Sequence, residues 1–246
     1  MIVVGSPALG AALVDGGAFR STLELYGRIT TTPLILVFPI LAVALGCGRL
    51  FAEVSHRFIV NVRVRTDLIP YIGTKVVASG MAAFAPFFAL AAVPFVLIVA
   101  LGYVPGTTIV SPEIYELTAA EAQAAAGSYA TFTQLYAVAP PLFGLVYSIW
   151  VGLNAALCAA LGSLSLFAIP NRFVALLVPF ATYFGESLVV SLLGHPEYGL
   201  VYLVFPFGLA QGSLVTPLIA LVLLSSGVLL LGRFGLGGVQ ALERLT

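Results

Sequence analysis

Polar residues in this chain gather into bands, and the apolar runs between them are long. They cover roughly 32–48, 76–103, 138–168, 173–194 and 213–232. In hydrocarbon a backbone N–H or C=O can bond only within its own helix, and crossing the bilayer takes about 20 residues, so each run predicts a membrane-spanning helix. The second run carries Pro86 and Pro94 and the third Pro140 and Pro141, and both pairs predict a tilt or a kink. A shorter run, "LVYLVFPFGLA" at 200–210, cannot cross, and with Gly208 and Gly212 at its end it predicts a re-entrant or interfacial segment. Residues 2–14, "IVVGSPALGAALV", are also too short to span and lack the basic start of a signal peptide. Within 111–135, Ser111 as N-cap, Pro112 at the first helical position and Gly127 as C-cap predict a helix outside the spans.

Composition turns this pattern into a class. Of 246 residues, 61% are hydrophobic and 8% charged, against about 45–50% and about 25% in soluble domains. The expected fold is all-α and polytopic, a single transmembrane domain over 1–246 with about five transmembrane helices. Formal net charge is zero, which gives no support to a nucleic-acid partner. Cys47 and Cys158 sit inside apolar runs and read as small hydrophobes rather than a disulfide.

Orientation follows from Lys and Arg, which favour the cytoplasmic side. The segment 49–75 holds Arg49, Arg57, Arg63, Arg65 and Lys75, the turn "PNR" holds Arg172, and the tail holds Arg233 and Arg244. The loops 104–137 and 195–212 have no Lys or Arg. Five spans then close with the C-terminus in the cytoplasm and the N-terminus outside. An outside N-terminus is unusual without a signal sequence, so a further helix upstream of this sequence is expected in preference to translocation of 1–31 as they stand.

Several chemistries are excluded. The only "GTK" lacks the upstream glycine of a phosphate-binding loop, and there is no G-x-S-x-G and no H-E-x-x-H. His56 and His195 fall on opposite sides of the membrane and cannot share a metal. Glu186, in "TYFGESLVV", is the one carboxylate well inside an apolar run. It reads either as a proton or cation site on a transport pathway or as a carboxyl hydrogen-bonded toward the outer end of its helix. Asn154, in the middle of the third span, reads as an interhelix hydrogen-bond partner before it reads as a pathway residue.

The densest polar band is "EVSHRFIVNVRVRTDLIPYIGTK", 53–75. Phe51, Val54, Phe58 and Val62 recur at spacings of three and four, while Glu53, Arg57 and Asn61 lie i, i+4 along another face. Glu53 and Arg57 would add a helical pair of about 0.3 kcal/mol. This predicts a short amphipathic helix on the inner membrane surface, a break at "RVRTDLIP", and a new helix after Pro70 with Tyr71 and Lys75 in its first turns. Plain positive-inside anchoring is the alternative reading of the same charges.

Glu53, Phe58, Asn61, Val62, Arg65, Tyr71 and Lys75, with "TPLILVFPILAVAL" before them, resemble the second helix and following segment of ABC-2-type permeases, the membrane subunits of one class of ABC exporter. Ser55, His56 and Arg57 depart from that family's small Ser-Gly step. In sequence the resemblance is specific over about 32–75. It implies six helices in the full family architecture, an external helical segment before the last span (here 200–210), and a cytoplasmic coupling helix seated in a separate ATPase subunit. ATP and Mg would bind that partner, and no cofactor is expected in this chain, which would not itself be an enzyme. The resemblance also implies a second permease copy or paralogue, a bacterial cytoplasmic membrane, Glu53, Arg57, Phe58 and Arg65 facing the ATPase, and Tyr71 and Lys75 fixing the start of the next span. Two rival classes are a proton-coupled secondary transporter using Glu186 and a non-transporting membrane or immunity-type protein on the same scaffold.

Overall fold

The computed structural model describes residues 18–31, 34–56, 68–102, 108–109, 131–206 and 212–244, with 111, 114, 116, 118, 121–122, 124–125 and 128 between them. The chain is mostly helical. Helix α1 is Thr22–Thr31, α2 Leu34–Ser55, and α3 Leu68–Pro94, prolonged by a π-helical stretch Phe95–Ala100. Then come α4 (Thr133–Val138), α5 (Pro140–Ala168), α6 (Arg172–Leu192), the five-residue α7 (Leu200–Val204) and α8 (Leu218–Arg244). The only strand pairing among the described residues is short and parallel, β1 (Ala18–Phe19) beside β2 (Thr108–Ile109).

Among the described residues, four helices are long and apolar enough to cross a membrane: Ile35–Ser55, Leu68–Ala100, Pro140–Ala168 and Arg172–Leu192. The expected fifth span, 213–232, is helical only from Leu218, and its described apolar part, Leu218–Arg233, is shorter. Turns occupy 214–217 instead, where Pro217 cannot donate to a preceding turn.

Several boundaries differ from expectation for identifiable reasons. Pro140 and Pro141 do not kink the third span: they begin α5, after an extended Ala139 (φ −160°, ψ 120°), because a first-turn proline lacks only an N–H that would have no partner. Pro86 lies inside α3, and beyond Pro94 the helix loosens to π geometry. The expected short amphipathic helix is not separate at its start. Residues 49–55 complete α2, since Phe51 and Val54 pack on a cluster of Val43, Cys47, Leu50, Leu166 and Ala175 within the bundle. The second half of that expected helix lies outside the described residues. Helix α3 starts at Leu68, before Pro70 rather than after it. In the stretch 111–128 the cap is Thr118 and not the expected Ser111. Thr118 N donates to Glu121 Oε2 at 2.8 Å and Glu121 N donates to Thr118 Oγ1 at 3.3 Å, a reciprocal capping box. Glu116, at φ 56°, breaks any helix running in from Ser111.

The long helices alternate in direction around α5, the most buried of the four candidate spans. At one end, Phe51 of α2 meets Phe173 of α6 at 5.8 Å between ring centroids, and Leu68 and Ile72 cluster with Leu164 beside Val228 and Leu231. Arg49, Lys75, Arg172 and Arg233 belong to this charged end. At the opposite end, Tyr26 of α1 packs edge-on to Phe95, Phe143 and Tyr147 and donates its hydroxyl to Ala91 O at 3.1 Å. Gln134 Nε2 donates to Gly212 O at 2.7 Å, and Gly212 N donates to Thr131 Oγ1 at 3.1 Å. The loops expected outside therefore gather at one end together with residues 18–31, and the basic band lies at the other.

Between the ends, helices approach closely at small residues. A Cβ on Gly46 would stand 2.5 Å from Ala159 Cβ and 2.7 Å from Ser79 O, so α2, α5 and α3 meet at a point only glycine fits.

Candidate functional site

The charged end brings three of the six expected coupling residues together. Tyr71 Oη donates to Glu53 Oε2 at 2.9 Å, and Lys75 Nζ donates to Glu53 Oε1 at 2.5 Å. Tyr71 and Lys75 are one turn apart on α3, so they share a face, and the ammonium stands 5.3 Å from the Tyr71 ring centroid. Local sequence explains the placement. Helix α2 carries Glu53 past the bilayer-length run because its neighbours Phe51 and Val54 still have an apolar cluster to pack on. Pro70 is tolerated in the first turn of α3, where Thr74 Oγ1 caps its carbonyl at 2.9 Å.

Both carboxylate oxygens of Glu53 are thus engaged within the chain. The side chains of the Lys75–Glu53 pair are 31% and 25% exposed, partly shielded from competing water. Between the two tied helices the sequence runs through 57–67, which includes Arg57, Phe58 and Arg65. Those three lie outside the described residues. Chemically the tie is a strut: it fixes the end of one long helix to the start of the next.

The opposite end holds the second set of candidates. Glu186 is half-buried on α6, and its Oε2 accepts from Leu200 N at 2.8 Å. Next to it, Ser187 Oγ accepts from Val201 N at 3.0 Å and donates to Tyr183 O at 2.8 Å. On the facing helix, Trp150 Nε1 donates to Leu203 O at 3.2 Å. Three side chains therefore seat the short α7 through its backbone, which satisfies amides that a first helical turn leaves open. Leu200, Leu203, Val204 and Phe205 are fully buried beneath this seat. The 200–210 segment is thus a short buried helix as far as Phe205, and its later residues 207–211 lie outside the described ones.

Asn154 is fully buried on α5. Its Nδ2 donates to Trp150 O at 2.9 Å, so the bond expected across helices is made within one. His56 ends α2 at the charged end, while His195 follows α6 at the other and meets Glu197 Oε1 at 3.1 Å. Glu197 sits in the first turn of a 3-10 helix, and its carboxyl is held below the usual range by a backbone N–H first and by His195 second. Among the described residues no three His, Cys, Asp or Glu side chains cluster as metal ligands would. Cys47 and Cys158 are both free and buried.

Sequence reasoning missed helix α1 and the seat of α7. For α1 a signal existed: Ser21 Oγ accepts from Glu24 N at 3.1 Å, an S-x-x-E start that "STLE" spells out. For the seat the signal was Glu186 alone, because its partners are backbone groups whose sequence carries no mark. Comparison with protein-family models, with curated proteins and with solved structures gave no match.

Proposed function

We propose that this chain is the membrane-spanning subunit of an ABC transporter of the ABC-2 type. It would move its substrate across a bacterial cytoplasmic membrane with energy from ATP, hydrolysed with Mg on a separate ATPase subunit. The observation that carries the reading is the Glu53–Tyr71–Lys75 tie, formed by three of the residues through which the sequence resembles that family. In this reading the connector 57–67 is the coupling segment. Arg57, Phe58 and Arg65 face the ATPase, and Glu53, Tyr71 and Lys75 brace the connector against α2 and α3 rather than touching the partner. Two permeases, identical or paralogous, pair in the bilayer and alternate access between them, with the C-terminus in the cytoplasm.

The test separates contact from bracing. Arg65→Glu is expected to lower association with the ATPase subunit at least tenfold in a detergent pull-down while membrane insertion is kept. Glu53→Lys is expected to lower it too, and Glu53→Lys with Lys75→Glu to restore it, because the swapped pair rebuilds the strut. Unchanged association in Arg65→Glu contradicts the reading.

A second reading rests on Glu186: a proton-coupled secondary transporter would load its proton on the half-buried carboxylate that seats α7. Transport that survives ATP depletion, collapses with the proton gradient and is lost in Glu186→Gln favours it. A third, a non-transporting membrane or immunity-type protein, is excluded if a transported compound stimulates a partner ATPase.

A further inference from the structure

Helix α1 lies against a break in α3. Pro94 has no N–H, so the carbonyl one turn earlier, at Leu90, loses its α-helical donor. Beyond Pro94 the chain passes into the wider π register, and Leu101 N donates five residues back, to Val96 O at 2.9 Å. A helix interrupted in this way bends there more easily than elsewhere.

Tyr26 of α1 touches both sides of the break. Its hydroxyl donates to Ala91 O at 3.1 Å, before Pro94, and its ring packs edge-on to Phe95, just after it, at 5.7 Å between centroids. Phe95 is also held from α5: a Cβ on Gly144 would stand 2.3 Å from two of its ring carbons, so the ring fills the notch that glycine leaves. Tyr26 itself is fully buried and packs on Phe143 and Tyr147 of α5 at 6.1 and 6.0 Å. The bundle core thus anchors the phenol, and the phenol brings a donor from outside α3 to the turn whose own donor is missing.

We propose that Pro94 is a hinge in α3 and that Tyr26 is the positioning residue that braces it. With α1 docked, the stretch Phe95–Ala100 is fixed in its π register against Gly144. With the brace weakened, that stretch opens separately from the part of α3 before Pro94. The course of α3 at the looped end is therefore set by α1, an element outside the four long helices. This device does not depend on the transporter reading.

Amide hydrogen exchange of the whole chain in mild detergent reads the hinge. Tyr26→Phe keeps the ring and loses the hydroxyl. It is expected to speed exchange of the amides of 96–101 by about three- to tenfold, while those of 79–90, before the hinge, change by less than about twofold. In Pro94→Ala the helix regains its own donor, and adding Tyr26→Phe to that variant is expected to change 96–101 by less than about twofold. If Tyr26 merely packs, Tyr26→Phe speeds both stretches alike, by weakening the whole bundle, or speeds neither. Either result overturns the proposal, and so does an undiminished effect of Tyr26→Phe in the Pro94→Ala background. Should Pro94→Ala fail to fold, the comparison of the two stretches in Tyr26→Phe decides on its own.

Discussion

At the scale of single residues, the two carboxylates inside or beside the spans have different tasks. Glu53 accepts from a phenol and an ammonium and joins two helices. Ion pairs exposed to water contribute about 0–1 kcal/mol, and a partly shielded one with an added hydroxyl is expected near the top of that range. Lys75→Ala should therefore cost about 1 kcal/mol in detergent unfolding and, more visibly, speed protease cleavage within 57–67. Glu186 accepts from an amide, a bond that a neutral acceptor can also make. Glu186→Gln is expected to keep α7 seated, whereas Glu186→Ala leaves the Leu200 amide open and costs about 1–3 kcal/mol. Hydrogen exchange at Leu200 and Val201 distinguishes the two variants.

At the scale of elements, close packing and capping decide where helices meet and stop. Gly46→Val would push α2 off Ala159 and Ser79, and a loss of about 1–3 kcal/mol is expected from overpacking, read as a lower melting midpoint. The turn at Thr118–Glu121 titrates. The Thr118 hydroxyl and then its amide hold the Glu121 carboxyl below its usual range. A folded-state value below the unfolded one means that the turn's contribution is complete above the unfolded value and fades as pH falls through the folded one. Acidification should therefore speed exchange of the Thr118 and Glu121 amides, and Thr118→Ala, which keeps the backbone donor and loses the hydroxyl, should weaken that pH dependence.

The spans were legible because hydrocarbon leaves the backbone no alternative to a long apolar run, and "AVALGCG" or "LNAALCAA" can be little else. Helix α1 was not, because Glu24 and Arg28 break its apolar pattern and its ten residues cannot span. Its apolar residues Leu25, Tyr26 and Ile29 join a core built from residues far away in the chain, with Tyr26 packed on Phe95, Phe143 and Tyr147. Glu53, Tyr71 and Lys75 were each singled out in the sequence, but their bonding to one another was not, since periodicity assigned Glu53 to Arg57 and the resemblance grouped Glu53 with Arg57, Phe58 and Arg65. The seat of α7 was legible only at Glu186, whose polarity contradicts its surroundings. Tyr183 and Ser187 look ordinary in a membrane helix until α7 is placed.

At the scale of the molecule, the charged end and the looped end have separate structures joined by helices that run the full length between them. In the proposed reading, the strut lies at the end that receives displacement from the ATPase and the seated helix at the opposite end. The reading requires a partner that hydrolyses ATP, and purification of the tagged chain in mild detergent tests it most directly. An ATPase subunit is expected to copurify, to hydrolyse ATP at a rate that changes when this chain is bound, and to be lost with Arg65→Glu. A chain that purifies without any ATPase from cells that make it, or an associated ATPase indifferent to Arg65→Glu, would contradict the account.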